Sequence, residues 1–319
     1  MERLKTVLGK HGQVEGIRAQ PEVMPGVLLD CIDVKRMPDA YRDMARTQPY
    51  DVCEMAPTMY LMALERGAQI TALPLPMTRK FRHSGIHKRA GLELASPKAL
   101  EGRKVGVRNY SVTAAVWTRG VFQEDYGLDP SKVTWVTEEA ENLDDLVLPP
   151  NVERLPAGRK LAQAIDAGEI DVAFEGLAGA GEAQVQMTEV VDNAAAVEQR
   201  WFERTGIYPI HGVIVVKNEV LRRIPGLARG LYDAFVASKQ AYLARLDNVT
   251  EPTGDDKRYR RLRNFVGDPL PYGLVENEAS LQALIRYAHT QGLVGKTVRA
   301  ANVFVDPRTA PEGQCAEWK

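Results

Sequence analysis

Residues 27–33 and 50–55 carry apolar runs too short for a helix, and between them residues 38–47 repeat apolar positions at a helical period. The pattern predicts strand, helix, strand, and it continues: a helix over 58–66, then a strand over 70–75 broken by Pro74 and Pro76, with residues 80–87 extending it past the bend. A second series follows: strand 104–107, helix 113–125, strand 133–136, a Pro/Asp-rich loop over 143–155, helix 158–167 and strand 170–174. Residues 210–217 are apolar enough for a buried strand. The helix predicted over 227–246 has apolar or small residues at 227, 231, 234, 235, 238, 242 and 246, and a last helix over 280–291 stops at Gly292. Strands alternating with helices predict a parallel α/β architecture. The second series starts near Gly102, and 210–217 reads as a return to the first. The expectation is two α/β lobes, the second (103–207) inserted in the first (1–102 and 208–319), with hinge segments near 78–103 and 205–215.

In open α/β sheets, ligands bind at the carboxyl ends of strands, facing helix N-termini. That rule selects Glu54 with Thr58, residues 79–83, Arg108 through Thr113, Glu175 with Gly176, and His211. The richest stretch is Val105-Gly106-Val107-Arg108-Asn109-Tyr110-Ser111-Val112-Thr113, a strand entering a polar turn and then a helix. The free N–H groups of such a helix, with Ser111 and Thr113, predict an anion site. Its entry, Leu100-Glu101-Gly102-Arg103-Lys104-Val105-Gly106-Val107, is also the kind that two-lobed solute-binding proteins use where their second lobe begins.

Composition narrows the partner. The 319 residues are 45% hydrophobic and 26% charged, enough for a sizeable core, and the net charge of -1 creates no field that would recruit nucleic acid or an acidic membrane. The charge run over 257–263 reads as a solvated helical face or an oligomer contact; whether the chain forms a homo-oligomer is left open. Cys31, Cys53 and Cys315 are an odd count without metal-ligand spacing, so neither a disulfide framework nor zinc is expected. The first sixteen residues lack the apolar core of a signal peptide, and no run approaches the length needed to span a bilayer. The expectation is a cytoplasmic, reduced protein that grips a small anionic molecule.

The chain resembles the 4,5-dihydroxyphthalate decarboxylase family, which has a type II periplasmic-binding-protein-like fold. The resemblance rests on Tyr50-Asp51-Val52-Cys53-Glu54-Met55, on Phe81-Arg82-His83-Ser84, and on Gly106-Val107-Arg108-Asn109-Tyr110 through Trp117-Thr118-Arg119-Gly120. It continues in Tyr208-Pro209-Ile210-His211, in Ala234-Phe235, and in Asp268-Pro269-Leu270-Pro271-Tyr272-Gly273-Leu274 with Gln291-Gly292-Leu293. What it implies is non-oxidative loss of one carboxylate from an aromatic dicarboxylate in an inter-lobe cleft, giving 3,4-dihydroxybenzoate and carbon dioxide.

That chemistry needs an acid aimed at the ipso carbon, a group that shares the phenolic proton, and cations for the retained carboxylate. Arg82 and Arg108 suit the clamp, because a guanidinium fork matches a carboxylate, with Ser111 and Thr113 as further donors. Arg119 reads equally as a salt-bridging helix residue. His83 and His211, in the two hinge segments, are the candidate proton carriers, and Glu54 and Glu175 the carboxylates that orient them or share a phenolic proton. Trp117 is a candidate stacking ring, with a core role as the commoner alternative, and Tyr272 a candidate lid or partner-subunit contact, with a structural turn as the equal alternative. His11, His87 and His289 read as surface or core residues. No organic cofactor is expected, since the ring is its own electron sink. A divalent metal is the alternative, on the ligand types of Glu54, His83, Glu175 and His211, although their spacing matches no compact metal motif. The rival function is a solute-binding protein that captures an aromatic carboxylate without turnover, and an enzyme of the thiamine-precursor type on the same fold is a third reading.

Overall fold

Thr6 and Val7, at the end of the first strand, pair in parallel with Val52 and Cys53, and this register organises the first of two sheets. In the computed structural model, which describes residues 1–174 and 183–319, the chain first lays down β1 (Glu2–Val7), β2 (Glu22–Met24), β3 (Val27–Cys31), β4 (Val52–Met55) and β5 (Ile70–Arg79). It then builds β6 (Ile86–Arg89), β7 (Lys104–Val107), β8 (Thr134–Thr137), β9 (Val152–Arg154), β10 (Val172–Phe174) and β11 (Met187–Glu189), before β12 (Ile210–Lys217). The helices are α1 (Glu15–Ala19), α2 (Met37–Arg46), α3 (Pro57–Glu65), α4 (Thr113–Tyr126), α5 (Leu161–Asp166), α6 (Ala194–Thr205), α7 (Asn218–Arg223), α8 (Leu227–Arg245), α9 (Gly254–Val266), α10 (Leu274–Thr290) and α11 (Ala300–Val303).

One compact unit holds residues 1–80, 210–285 and 296–319, the other 81–209 and 286–295. The first unit's sheet has the order β2-β3-β1-β4-β12-β5. Its β1, β3 and β4 run parallel, and β12 is antiparallel to both neighbours. Its core gathers Leu4, Val52, Leu75, Ile214, Leu231, Phe235 and Tyr259, all buried. The second unit's sheet has the order β11-β6-β10-β7-β8-β9. There β7 through β10 are parallel, and β6 is antiparallel to β10 and β11. A cluster of Val136, Leu161, Ile165, Ile170 and Ala173 packs beneath it. Among the described residues no helix is long and apolar enough to cross a membrane.

Three differences from the expected elements have physical causes. The strand predicted to break at Pro74 and Pro76 runs unbroken to Arg79, because β5 is the edge of its sheet and a proline's missing N–H costs little there. Residues 81–102, expected in the first unit, belong to the second, where β6 pairs with β10 and β11; residues 286–295 join them. The last long helix begins at Leu274 rather than near 280, with the Leu274 N–H held by Asp306 Oδ2 at 2.9 Å. The charge run lies on α9, whose Tyr259 and Leu262 are buried while Lys257 and Arg261 are exposed.

Candidate active-site residues

Because β1 and β4 run parallel with Val7 opposite Cys53, the residues that follow β1 arrive beside Glu54 at the carboxyl ends of the strands. The Gly9 N–H donates to Glu54 Oε2 at 2.9 Å. His11 Nε2 lies 2.9 Å from Oε2 and 3.1 Å from Oε1, and the Tyr41 hydroxyl, from α2, donates to Oε1 at 3.2 Å. Two glycines make room for this carboxylate. A Cβ at Gly9 would stand 2.5 Å from His11 Nε2 and 2.7 Å from Glu54 Oε2, and one at Gly212 would stand 2.7 Å from Oε1.

Glu54 is 2% exposed. Burial pushes its carboxyl up, but the charge and hydrogen bond of His11, with those from Gly9 and Tyr41, outweigh burial and hold its pKa below the ordinary value. Burial likewise pulls His11 down; Glu54 overcomes it, Asp255 adds to the effect and Arg258 opposes it, and the imidazole ends above its ordinary value. The pairing thus favours a carboxylate beside an imidazolium. His11 spends Nε2 on Glu54, and its side chain keeps 16% exposure, so the other nitrogen carries the transferable proton.

His211 sits next to Gly212 where the β12–β5 register shifts, and such bulges re-aim side chains near functional sites. It is half-buried, and its Nε2 donates to the Lys80 carbonyl at 3.0 Å. Tyr272, in the first unit's core, is 4% exposed, lies beneath Lys239 Nζ (4.7 Å to the ring centroid), and has a buried hydroxyl with no partner among the described residues. Burial first, then the charges of Tyr259, Asp268 and Glu54, push that phenol far above its ordinary pKa. Its side chain packs in the first unit's core, rather than standing as a lid or partner-subunit contact.

On the second unit, the α4 entry differs from the sequence expectation. No side chain caps α4; its N-cap is Val112 in an extended conformation, and Thr113 is buried at the first helical position. The two N–H groups in the turn before it have a protein partner: Tyr110 and Ser111 donate to Glu141 Oε1 and Oε2 at 2.6 and 3.0 Å. Ser111 Oγ accepts from Asn142 Nδ2 at 3.0 Å. Arg108 is half-buried, its Nε 4.0 Å from Glu139, and Arg82 is also half-buried. Arg119 is fully buried, and among the described residues it forms no salt bridge, one of the two roles considered for it. Its guanidinium stacks on Tyr110 (3.9 Å) and Trp135 (5.0 Å) and donates to the Tyr110 carbonyl at 2.6 Å and to Gln291 Oε1 at 2.7 Å.

Two aromatic candidates are core residues. Trp117 is fully buried and meets the Tyr287 ring edge-on at 5.6 Å, so it presents no face to a ligand. His83 is also enclosed, edge-on to Trp201 at 5.3 Å, with Nε2 3.4 Å from Asp125. Burial lowers its pKa despite Asp125, which makes it a neutral packing residue at physiological pH. Glu175 lies outside the described residues. Among those described, no group of three or more His, Cys, Asp or Glu side chains is arranged to hold a metal ion. The residue that sequence reasoning missed is His11. Only the parallel register of β1 with β4, a long-range pairing, puts it on Glu54.

No family model matches the chain. A 4,5-dihydroxyphthalate decarboxylase of Comamonas testosteroni is 31% identical over 277 residues, covering 81% of this chain and 83% of that protein. One of Pseudomonas putida is 32% identical over 167 residues, covering 49% of this chain and 65% of that protein. Among solved structures, the sulfonate-binding protein SsuA of Methylobacillus flagellatus superposes with a TM-score of 0.61 at 11% identity, covering 96% of this chain and 92% of its own. The sulphonate-binding protein SsuA of Escherichia coli gives 0.57 at 13%, covering 100% and 96%. The desulfurization enzyme DszB gives 0.54 at 15%, covering 96% and 97%. At these identities the likeness establishes the fold alone: a type II periplasmic-binding-protein-like α/β fold.

Proposed function

The chain belongs to the 4,5-dihydroxyphthalate decarboxylase family, and on that premise we propose that it converts 4,5-dihydroxyphthalate to 3,4-dihydroxybenzoate and carbon dioxide. Each carboxylate of that substrate is para to a hydroxyl. Withdrawing the phenolic proton raises electron density at the ipso carbon, and an acid then protonates that carbon. The carbon–carbon bond to the carboxylate breaks, carbon dioxide leaves, and its electron pair restores the aromatic ring. One proton is consumed per turnover, and the ring itself holds the electrons throughout, so the chemistry requires no organic cofactor.

The observation that carries this reading is the Glu54–His11 pair. A buried carboxylate raises the pKa of the imidazole beside it and so favours the protonated ring, and the nitrogen that does not face Glu54 is the proton donor to carbon. His211, an imidazole at the start of β12, is suited to take or share the phenolic proton. On the second unit, Arg82 and Arg108 have the forked geometry for the retained carboxylate.

The test is to incubate the purified protein with 4,5-dihydroxyphthalate, with and without a chelator, and to analyse the products. Formation of 3,4-dihydroxybenzoate above the protein-free control supports the enzyme, and loss of product on chelation adds a metal to the account. Ligand-induced thermal stabilisation with no product would instead identify a binding protein.

A further inference from the structure

Glu141 has no part in the chemistry above, yet its carboxylate is seated on two backbone N–H groups in the turn before α4 of the second unit. Both oxygens are anchored, one on the Tyr110 N–H at 2.6 Å and one on the Ser111 N–H at 3.0 Å. The segment that carries it is pinned on either side. Asn109 Nδ2 reaches the Ala140 carbonyl and Asn142 Oδ1, each at 3.4 Å, and Asn142 Nδ2 donates to Ser111 Oγ at 3.0 Å. The Glu141 side chain is half-buried, and among the described residues no Lys or Arg forms an ion pair with it. Each oxygen accepts one N–H and retains a second acceptor position. The turn also holds hydrogen-bonding capacity that the protein does not use: Asn109 Oδ1 and Arg119 Nη1 are buried without a partner among the described residues. Arg119 supports the same turn through the Tyr110 carbonyl.

We propose that Glu141 is a specificity-determining residue whose anchored carboxylate accepts hydrogen bonds from the two ring hydroxyls of the substrate. Vicinal hydroxyls present two donors side by side, and a single carboxylate offers two acceptor oxygens in one plane. The two N–H groups hold that plane before the ligand arrives, so little orientation is lost on binding. The same negative charge repels the substrate's carboxylates and directs them away from the Tyr110 and Ser111 N–H groups and toward the arginines. The turn before α4 thereby becomes a receptor for a neutral diol edge. A site built to bond a hydroxyl discriminates strongly against the analogue that lacks it.

This inference rests on the decarboxylase reading for its choice of substrate, and the experiment separates the two. Calorimetric affinities of wild type and E141Q are compared for 4,5-dihydroxyphthalate, 3,4-dihydroxybenzoate and unsubstituted phthalate, with turnover of the first measured in parallel. E141Q should weaken both dihydroxy ligands by about 10- to 100-fold, the effect of losing a charged acceptor. Phthalate should bind as well as before, or better. An equal loss for all three ligands would make Glu141 a loop staple, and tighter binding of all three would make it a competitor for substrate carboxylates; either overturns the proposal. If E141Q does not fold, E141D keeps the charge for Tyr110 and Ser111 but withdraws the acceptors by one methylene, and it should lose the preference for the diol in the same direction. Wild-type binding without product would defeat the decarboxylase reading while the affinity ratios still judge Glu141.

Discussion

Replacing Glu54 with glutamine tests the proton-donor assignment and has a size that can be worked out. The carboxylate accepts from Gly9, His11 and Tyr41 while 2% exposed. Breaking a buried ion pair costs about 3–5 kcal/mol when the orphaned partner stays charged. His11 retains 16% exposure and can release its proton instead, which limits that term. The Gly9 and Tyr41 bonds then pass from an ionic to a neutral acceptor, from about 1.5–3 to about 1 kcal/mol each, and the amide NH2 must turn away from one donor. The net loss is about 2–4 kcal/mol, or a fall in Tm of about 5–15 °C for a unit of this size. With its imidazole no longer held protonated, the enzyme should lose about 10²–10⁴ in kcat at neutral pH, the usual worth of a positioned acid. Scanning calorimetry gives the first quantity and quantified 3,4-dihydroxybenzoate the second. The kcat profile should also move, its alkaline limb shifting to lower pH. An unchanged Tm, or a loss of activity with the alkaline limb in place, would refute the reasoning.

Further outcomes follow from the same geometry. Glu54 has a lowered pKa, so its contribution to stability is present above the ordinary value of 4.5 and is lost as pH falls through its folded value; His11 has a raised one, so its contribution is present below 6.5 and is lost as pH rises through its folded value. The Tm gap between wild type and H11Q should therefore be widest between those limits and close on both sides, and a gap independent of pH would contradict the ion pair. G212A drives a methyl to 2.7 Å from Glu54 Oε1, so Tm and kcat should fall together, whereas G254A, with nothing within 4 Å, should leave both unchanged. W117A should cost about 3–5 kcal/mol as a core truncation, seen by denaturant melts, with KM unaffected in the folded fraction. H83N should lower stability while leaving the alkaline limb of kcat where it is, since the His83 ring is enclosed by Trp201 and Asp125.

The parts of the fold legible in the sequence were those with local signals. The apolar run of β4 and the periodic faces of α2 and α8 mark themselves, and Glu54 was visible as a polar residue ending an apolar strand before a helix. The Leu-x-Gly-Arg-Lys-Val-Gly-Val entry placed β7 and α4 within a residue of where they lie. What stayed hidden depends on pairing across the chain. His11 follows an unremarkable charged segment, and only the β1–β4 register brings it to Glu54, 43 positions away. Glu141 reaches the turn before α4 from 30 and 31 positions away, a pairing no local signal marks. Pro74 and Pro76 looked like breakers because edge position, which makes them tolerable, is a property of the sheet. Trp117 and His83 carry the residue types of a site, and their enclosure by Tyr287 and Trp201 is tertiary information.

The most direct test of the central claim is turnover of 4,5-dihydroxyphthalate in heavy water, with the product examined by mass and proton NMR spectra. Protonation at the ipso carbon predicts 3,4-dihydroxybenzoate carrying one non-exchanging deuterium, at the ring position the carboxylate left. Absence of product, or product without deuterium at that carbon, would contradict it.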